Sequence, residues 1–264
     1  MSEILELITL PAIGLVIGVI VGLTGVGGGS LMTPILIGGL GIPPAVAVGT
    51  DLLFAALTKS FGGYAHWRTG NVAPRLLKLL IISSLAGAAI AFALINAITP
   101  NVEQLNQLIR SALGTALFLT AAALLARPWL LTWRQRGYAT AQHSDVSGSP
   151  WPTLLLGAGI GAVVTISSIG AGAIGVTALL LLHPALRLSR VVGTDIAYAV
   201  PLTAAAGLAH AAAGHVDMGL LIGLLTGSIP GILLGARLSS RIPELATRSL
   251  LVGLLGLAGA KLVA

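Results

Sequence analysis

Six stretches of this chain, Ile4–Leu23, Leu79–Ile98, Ser111–Ala126, Leu154–Leu182, Val191–Ala213 and Leu220–Ala236, carry almost no charge. A helix needs about 20 apolar residues to cross the hydrocarbon core of a bilayer, and several of these runs qualify. Lipid satisfies backbone N–H and C=O groups only in helices or closed barrels, and the period-two alternation of barrel strands is missing. The chain is therefore predicted to be an all-α integral membrane protein. With 8% charged residues against 56% hydrophobic, it lacks the charge to cover a soluble surface. The 35 glycines suit close helix packing in lipid. No cysteine is present, which excludes disulfides and thiolate metal sites. No cofactor and no metal are expected. The acidic start, Glu3 and Glu6, argues that the first apolar run is retained rather than cleaved.

The chain repeats itself. Gly-Val-Gly-Gly-Gly-Ser-Leu-Met-Thr at 25–33 leads to Val48-Gly49-Thr50-Asp51. Ile-Gly-Ala-Gly-Ala-Ile-Gly-Val-Thr at 169–177 leads to Val192-Gly193-Thr194-Asp195. A shift of 144 aligns residues 25–72 with 169–216 without a gap, and 13 of the 48 positions are identical. The informative identities are the rarer types: Thr33/Thr177, Thr50/Thr194, Asp51/Asp195 and His66/His210. Each copy divides into five helical segments: 4–23, 29–40, 45–66, 76–98 and 104–126, then 152–167, 171–183, 189–212, 217–236 and 245–263. The second segment of each copy is short and follows a Gly-rich break, as half-helices or re-entrant pieces do. The expected organisation is a first membrane repeat over 1–126, a cytoplasmic linker over 127–150, polar and turn-rich, and a second membrane repeat over 151–264.

Eleven of the 14 Lys and Arg residues sit in four loops, at 68–78, 127–136, 187–190 and 237–248. Five segments per repeat place all four loops on one side, which the positive-inside rule makes cytoplasmic. Both termini then lie outside, and the basic balance reflects orientation, with no nucleic acid partner. Lys59, Arg110 and Lys261 do not fit and must snorkel or be buried. An odd number of segments makes the repeats inverted in topology. Inverted repeats with Gly-interrupted segments in matching places mark secondary transporters.

Several residues stand out as carriers of chemistry. Asp51 and Asp195 each lie some six residues inside an apolar helix, where an ionised carboxylate costs about 2.5–3.5 kcal/mol on insertion scales. A proton-coupling or ligand-organising role competes with that of a helix-capping Asp. Asp51, Ala55, Thr58, Gly62 and His66 share one helix face, as do Asp195, Ala199, Leu202, Ala206 and His210. His66 and His210 are candidates for proton relay, the alternative being interfacial histidines facing headgroup water. The first break (Gly27, Gly28, Gly29, Ser30) and the second (Ser167, Ser168, Gly170, Gly172) each precede a helix start, whose free N–H groups and positive dipole end suit an anion. Thr50 and Thr194 join them as candidate substrate ligands. Lys59 is placed to pair with Asp51 or to neutralise an anionic substrate, with snorkelling as the alternative. No Gly-x-Ser-x-Gly elbow with a triad, His-Glu-x-x-His or Walker motif is present, so no enzyme is expected.

The Gly-rich break with a Pro shortly after (Gly27-Gly28-Gly29 … Pro34), the Gly-Ile-Pro-Pro-Ala-Val-Ala-Val-Gly-Thr run at 41–50, and Gly63-Tyr64 … Gly70-Asn71-Val72 resemble the TauE/SafE sulfite-exporter family of membrane permeases. The second half repeats the pattern at 170–216. The resemblance implies a duplicated helical transporter of sulfite, sulfonates or related small anions, usually outward, in a prokaryotic inner membrane. Two departures stand out. The family commonly has Ser or Asn where this chain has Asp51 and Asp195, and its second Gly cluster is usually denser than 170–175. Two acids suit a doubly charged anion only when protonated, which agrees with proton coupling. The expected partners are a small anionic substrate and the lipid bilayer, and a homo-oligomer is compatible with the sequence. The competing classes are a passive anion channel, a membrane scaffold or enzyme subunit, and a divalent-cation carrier. For the last, two carboxylates are a thin ligand set.

Overall fold

The computed structural model describes residues 2–24, 29–99, 101–138, 149–239 and 244–263. These form ten helices: α1 (Ser2–Thr24), α2 (Gly29–Leu40), α3 (Pro44–Arg68), α4 (Pro74–Ile98), α5 (Val102–Tyr138), α6 (Trp151–Ser167), α7 (Ala173–Leu182), α8 (Leu188–Ala212), α9 (Met218–Ser239) and α10 (Glu244–Val263). No strand occurs among the described residues. Five helices, α3, α4, α5, α8 and α9, are long and apolar enough to cross a membrane, and five shorter apolar stretches accompany them.

Helix boundaries follow local chemistry. Prolines open α3 at Pro44 and α4 at Pro74, where the missing N–H would be unpaired anyway. α2 spans only 12 residues and α7 only 10, as expected of half-helices. The expected linker is helical in its first half: α5 runs through Pro128 to Tyr138. Burial explains the extension, because Leu130 is buried in the core and Leu131 packs against the same cluster. A Pro inside a helix in lipid is tolerated where neighbours hold the turn. The rest of the expected linker, 139–148, lies outside the described residues.

The packing exchanges the two halves. α1 packs on α9 as α6 packs on α4, α2 meets α10 as α7 meets α5, and α3–α8 and α5–α10 pair with their own counterparts. Small residues make these approaches possible. A Cβ on Gly161 of α6 would strike the Ser84 carbonyl of α4, and one on Gly231 of α9 would strike the Leu15 carbonyl of α1. At the centre, α3 and α8 run antiparallel. Gly49 faces His210 and the His215 carbonyl, Gly63 faces Ala197 and Val200, and Gly207 faces Leu53. Gly193 faces His66 and the Asn71 carbonyl, which is the Gly49 contact shifted by 144 residues on both partners.

Two of the three misfit cations acquire a place. Lys261 of α10 donates to the Gly38 carbonyl at 2.9 Å, at the negative end of α2. Lys59 donates to the Ala171 carbonyl in the second break, at 3.5 Å. Arg110 lines a cavity of about 540 Å³ with Glu103, Asn106, Gln107 and the Gly41–Pro44 turn.

Candidate anion site at the second helix break

α6 ends where Ser168 takes the left-handed conformation (φ 58°), a position an L-residue occupies at a cost of about 1–2 kcal/mol. Gly170 (φ 135°) and Gly172 (φ 121°) then swing the chain into α7. This is where glycine is needed. Gly175 N–H bonds back to the Gly170 carbonyl and Val176 N–H to Gly172, so the first turn of α7 is well formed. Ser167 does not face outward: its hydroxyl donates to Val163 at 2.7 Å and lies 3.3 Å from the Ile169 N–H. Ser168 Oγ is buried with no hydrogen-bond partner.

Both acids are fully buried, and both border this break. Asp51 Oδ2 accepts from Thr33 Oγ1 of α2 at 2.5 Å, and Ser168 faces the same carboxylate. Asp195 faces the Gly172 N–H and the Tyr198 hydroxyl one turn along α8. A Cβ on Gly175 would strike Asp195 Oδ1 and come within 3.1 Å of Tyr198 OH, so Gly175 forms the floor beneath both. Lys59 interacts electrostatically with Asp195 and, more weakly, with Asp51. Asp51 Oδ1, Asp195 Oδ1, Tyr198 OH and Ser168 Oγ are all buried without a partner. Buried polar atoms are usually paired, and exceptions tend to mark function.

The acids do not meet each other. The register of α3 on α8 sets Asp51 at the level of residues 207–210 and Asp195 at the level of residues 63–66. Each lies seven residues from the pair Thr58/Leu202 about which the two helices exchange, or about 10 Å along its helix axis. The second break and Lys59 fill the space between them.

Other expected ligands are engaged elsewhere. Thr50 Oγ1 accepts from the Asp217 N–H at 3.1 Å, and Thr194 Oγ1 accepts from the Ala73 N–H at 2.9 Å while donating to Arg190 at 2.6 Å. These are the same bond made twice, 144 residues apart, and each fastens the loop that follows one repeat's long central helix to the start of the other's. Thr194→Val is expected to lower stability by about 1–3 kcal/mol, because the buried Ala73 N–H loses its acceptor, and Thr50→Val by less, because Asp217 is exposed and water can take the place of the lost bond. Thermal unfolding in detergent reads this out, with the larger loss at Thr194. His210 is buried, against the expectation that it faces headgroup water. Its Nε2 lies 3.0 Å from the Thr165 carbonyl and its ring stacks edge-on against Phe92, because Gly49 lets α3 close over it. His66 is half-buried at the other end of the helix pair, beside Gly193. In the loop beyond α8, burial holds His215 below the usual imidazole range, which keeps it neutral near pH 7. Gly27 and Gly28 lie outside the described residues. Gly29 and Ser30 open α2.

Thr33, Tyr198 and Gly175 belong to the site without having been proposed for it. Thr33 had a signal, since it is one of the rarer identities of the repeat. Tyr198 had one too: its counterpart is Phe54, so a hydroxyl appears one turn from only one of the two acids.

A family model described as sulfite exporter TauE/SafE matches residues 10–262. The chain is 37% identical over 256 residues to "Probable membrane transporter protein YjnA" of Bacillus subtilis (strain 168), covering 97% of this chain and 99% of that protein. It is 28% identical to "Probable membrane transporter protein YdhB" of the same organism, covering 88% and 90% respectively. No solved structure matches the chain.

Proposed function

Because this chain belongs to the sulfite exporter TauE/SafE family of membrane transporters, we propose that it is a secondary transporter moving a small sulfur-containing or organic oxyanion, such as sulfite or a sulfonate, outward across a prokaryotic inner membrane with coupling to protons through a buried acid of this site. The observation that carries this reading is the buried break between α6 and α7, which Lys59 reaches at the Ala171 carbonyl and which Ser168 at its start and Tyr198 beside the first turn of α7 border with unpartnered hydroxyls. A cation, hydroxyls and the N-terminal end of a helix are the donors a desolvated oxyanion requires. The two repeats are read as inverted, and the antiparallel α3–α8 pair with its matched contacts supports this. α3 and α8 are repeat counterparts, and on this reading their opposite directions are those of the two halves.

The test is uptake and efflux of sulfite, thiosulfate, sulfonates and carboxylates in proteoliposomes under an imposed pH gradient. Uphill movement of one or more sulfur oxyanions is expected. Downhill movement alone would replace the reading with a passive channel. Orientation is tested on the same cysteine-free background. A cysteine at Thr69 should label only from the cytoplasmic side and one at Asp217 only from outside, and labelling of both from one side would reject the topology.

A further inference from the structure

Asp51 and Asp195 are equivalent in the repeat but not in their surroundings. Asp51 accepts a hydrogen bond from the neutral hydroxyl of Thr33 and faces that of Ser168. Asp195 is faced by Tyr198 OH and the Gly172 N–H and by the charge of Lys59, whose own bond goes to the Ala171 carbonyl, three potential donors in all. The positions corresponding to Lys59 and Tyr198 in the other repeat are Thr203 and Phe54. A phenol is therefore built beside one acid only, Lys59 acts more strongly on that acid than on Asp51, and both are donors an oxyanion at this break would use.

Resting on the anion site proposed above, we infer that ionised Asp195 and the transported oxyanion compete for the same three donors, so that the anion binds only after Asp195 has taken up a proton. Two negative charges sharing one ammonium in a water-poor site repel strongly, since interactions there are several-fold larger than in water. Protonation places the proton on a carboxylate oxygen of Asp195 and breaks no other bond. It removes the negative charge that faces Lys59, Tyr198 and the α7 N-terminus, leaving all three to the substrate. Asp51 ties Thr33 of α2 to α3 and is not the coupling acid.

The charged and titratable groups facing Asp195 are few. α3 supplies Lys59, Asp51 and, near Gly193, His66. α6 and α7 carry none, and Arg75 and Lys78 of α4 sit in its first turns. Tyr198 is the one on α8 itself close to Asp195.

The test is equilibrium binding to the detergent-solubilised full chain with thiosulfate and methanesulfonate, whose charge is constant across the neutral range. Wild-type affinity is expected to rise toward tenfold per pH unit as pH falls, the linkage slope of one proton. Asp195→Asn should bind with no pH dependence, and Asp51→Asn should retain the wild-type slope. Asp195→Glu should also retain it, which separates loss of the acid from loss of the fold. Tyr198→Phe should weaken binding about tenfold and leave the slope intact. A pH-independent wild type, or a slope that survives Asp195→Asn, overturns the competition while leaving the anion site standing. Absence of any binding of thiosulfate or methanesulfonate by the wild type overturns both.

Discussion

Lys59→Met is expected to lower anion affinity by about two to three orders of magnitude, and transport with it. Removing one partner of a buried charge pair typically costs about 3–5 kcal/mol, because the other charge is left uncompensated. Here the abandoned charge is the substrate's, held at a break whose other donors are neutral hydroxyls and backbone N–H groups. The chain should still fold, since Asp195 can accept a proton and stay neutral when its cation is gone. Lys59→Arg keeps the charge but brings a planar fork in place of a point donor, so partial recovery is expected. Thr203→Val, at the matching position of the other repeat, makes only bonds within α8, to Ala199 and Val200, and should leave affinity unchanged. Isotope flux into proteoliposomes separates these outcomes. Wild-type affinity in Lys59→Met would place the anion elsewhere.

Gly49→Ala and Gly193→Ala should both destabilise the protein severely, and by similar amounts. A Cβ at Gly49 runs into the His215 carbonyl and one at Gly193 into the Asn71 carbonyl. Overpacking commonly costs about 1–3 kcal/mol, and these two sites should exceed that range because the blocking atom is backbone and cannot rotate away. Gly159→Ala has the opposite sign. Nothing lies within 4 Å of the new methyl, so it should stabilise by up to about 1 kcal/mol through helix propensity. Melting temperatures of the three purified variants decide the point. Unequal losses at Gly49 and Gly193 would count against the exchange relation between the halves.

Much of the architecture was legible in the residues. The ten segments matched the ten helices to within a few residues, except where α5 ran on past Ala126. Apolar length and Gly or Pro punctuation act locally, and they are enough to mark where a chain can cross lipid. The continuation of α5 to Tyr138 was hidden because Arg127 and Pro128 look like a helix end. The burial of Leu130 against distant parts of the core outweighs both.

The site was legible by residue type and not by arrangement. A repeated Asp in an apolar helix, two Gly-containing breaks and a lone Lys can be picked out because each conflicts with a lipid environment on its own. How they combine is a matter of register. Gly49 and Gly193 let two antiparallel helices approach until backbone blocks them, and that approach keeps Asp51 and Asp195 apart with Lys59 in between. It also directs the hydroxyls of Thr50 and Thr194 to loop N–H groups more than 100 residues away in sequence. Sequence alone determined the helices, the duplication and the short list of polar residues that apolar surroundings must accommodate. Tertiary structure decided which of them face one another, because contacts across a helix pair depend on a partner that no local periodicity encodes.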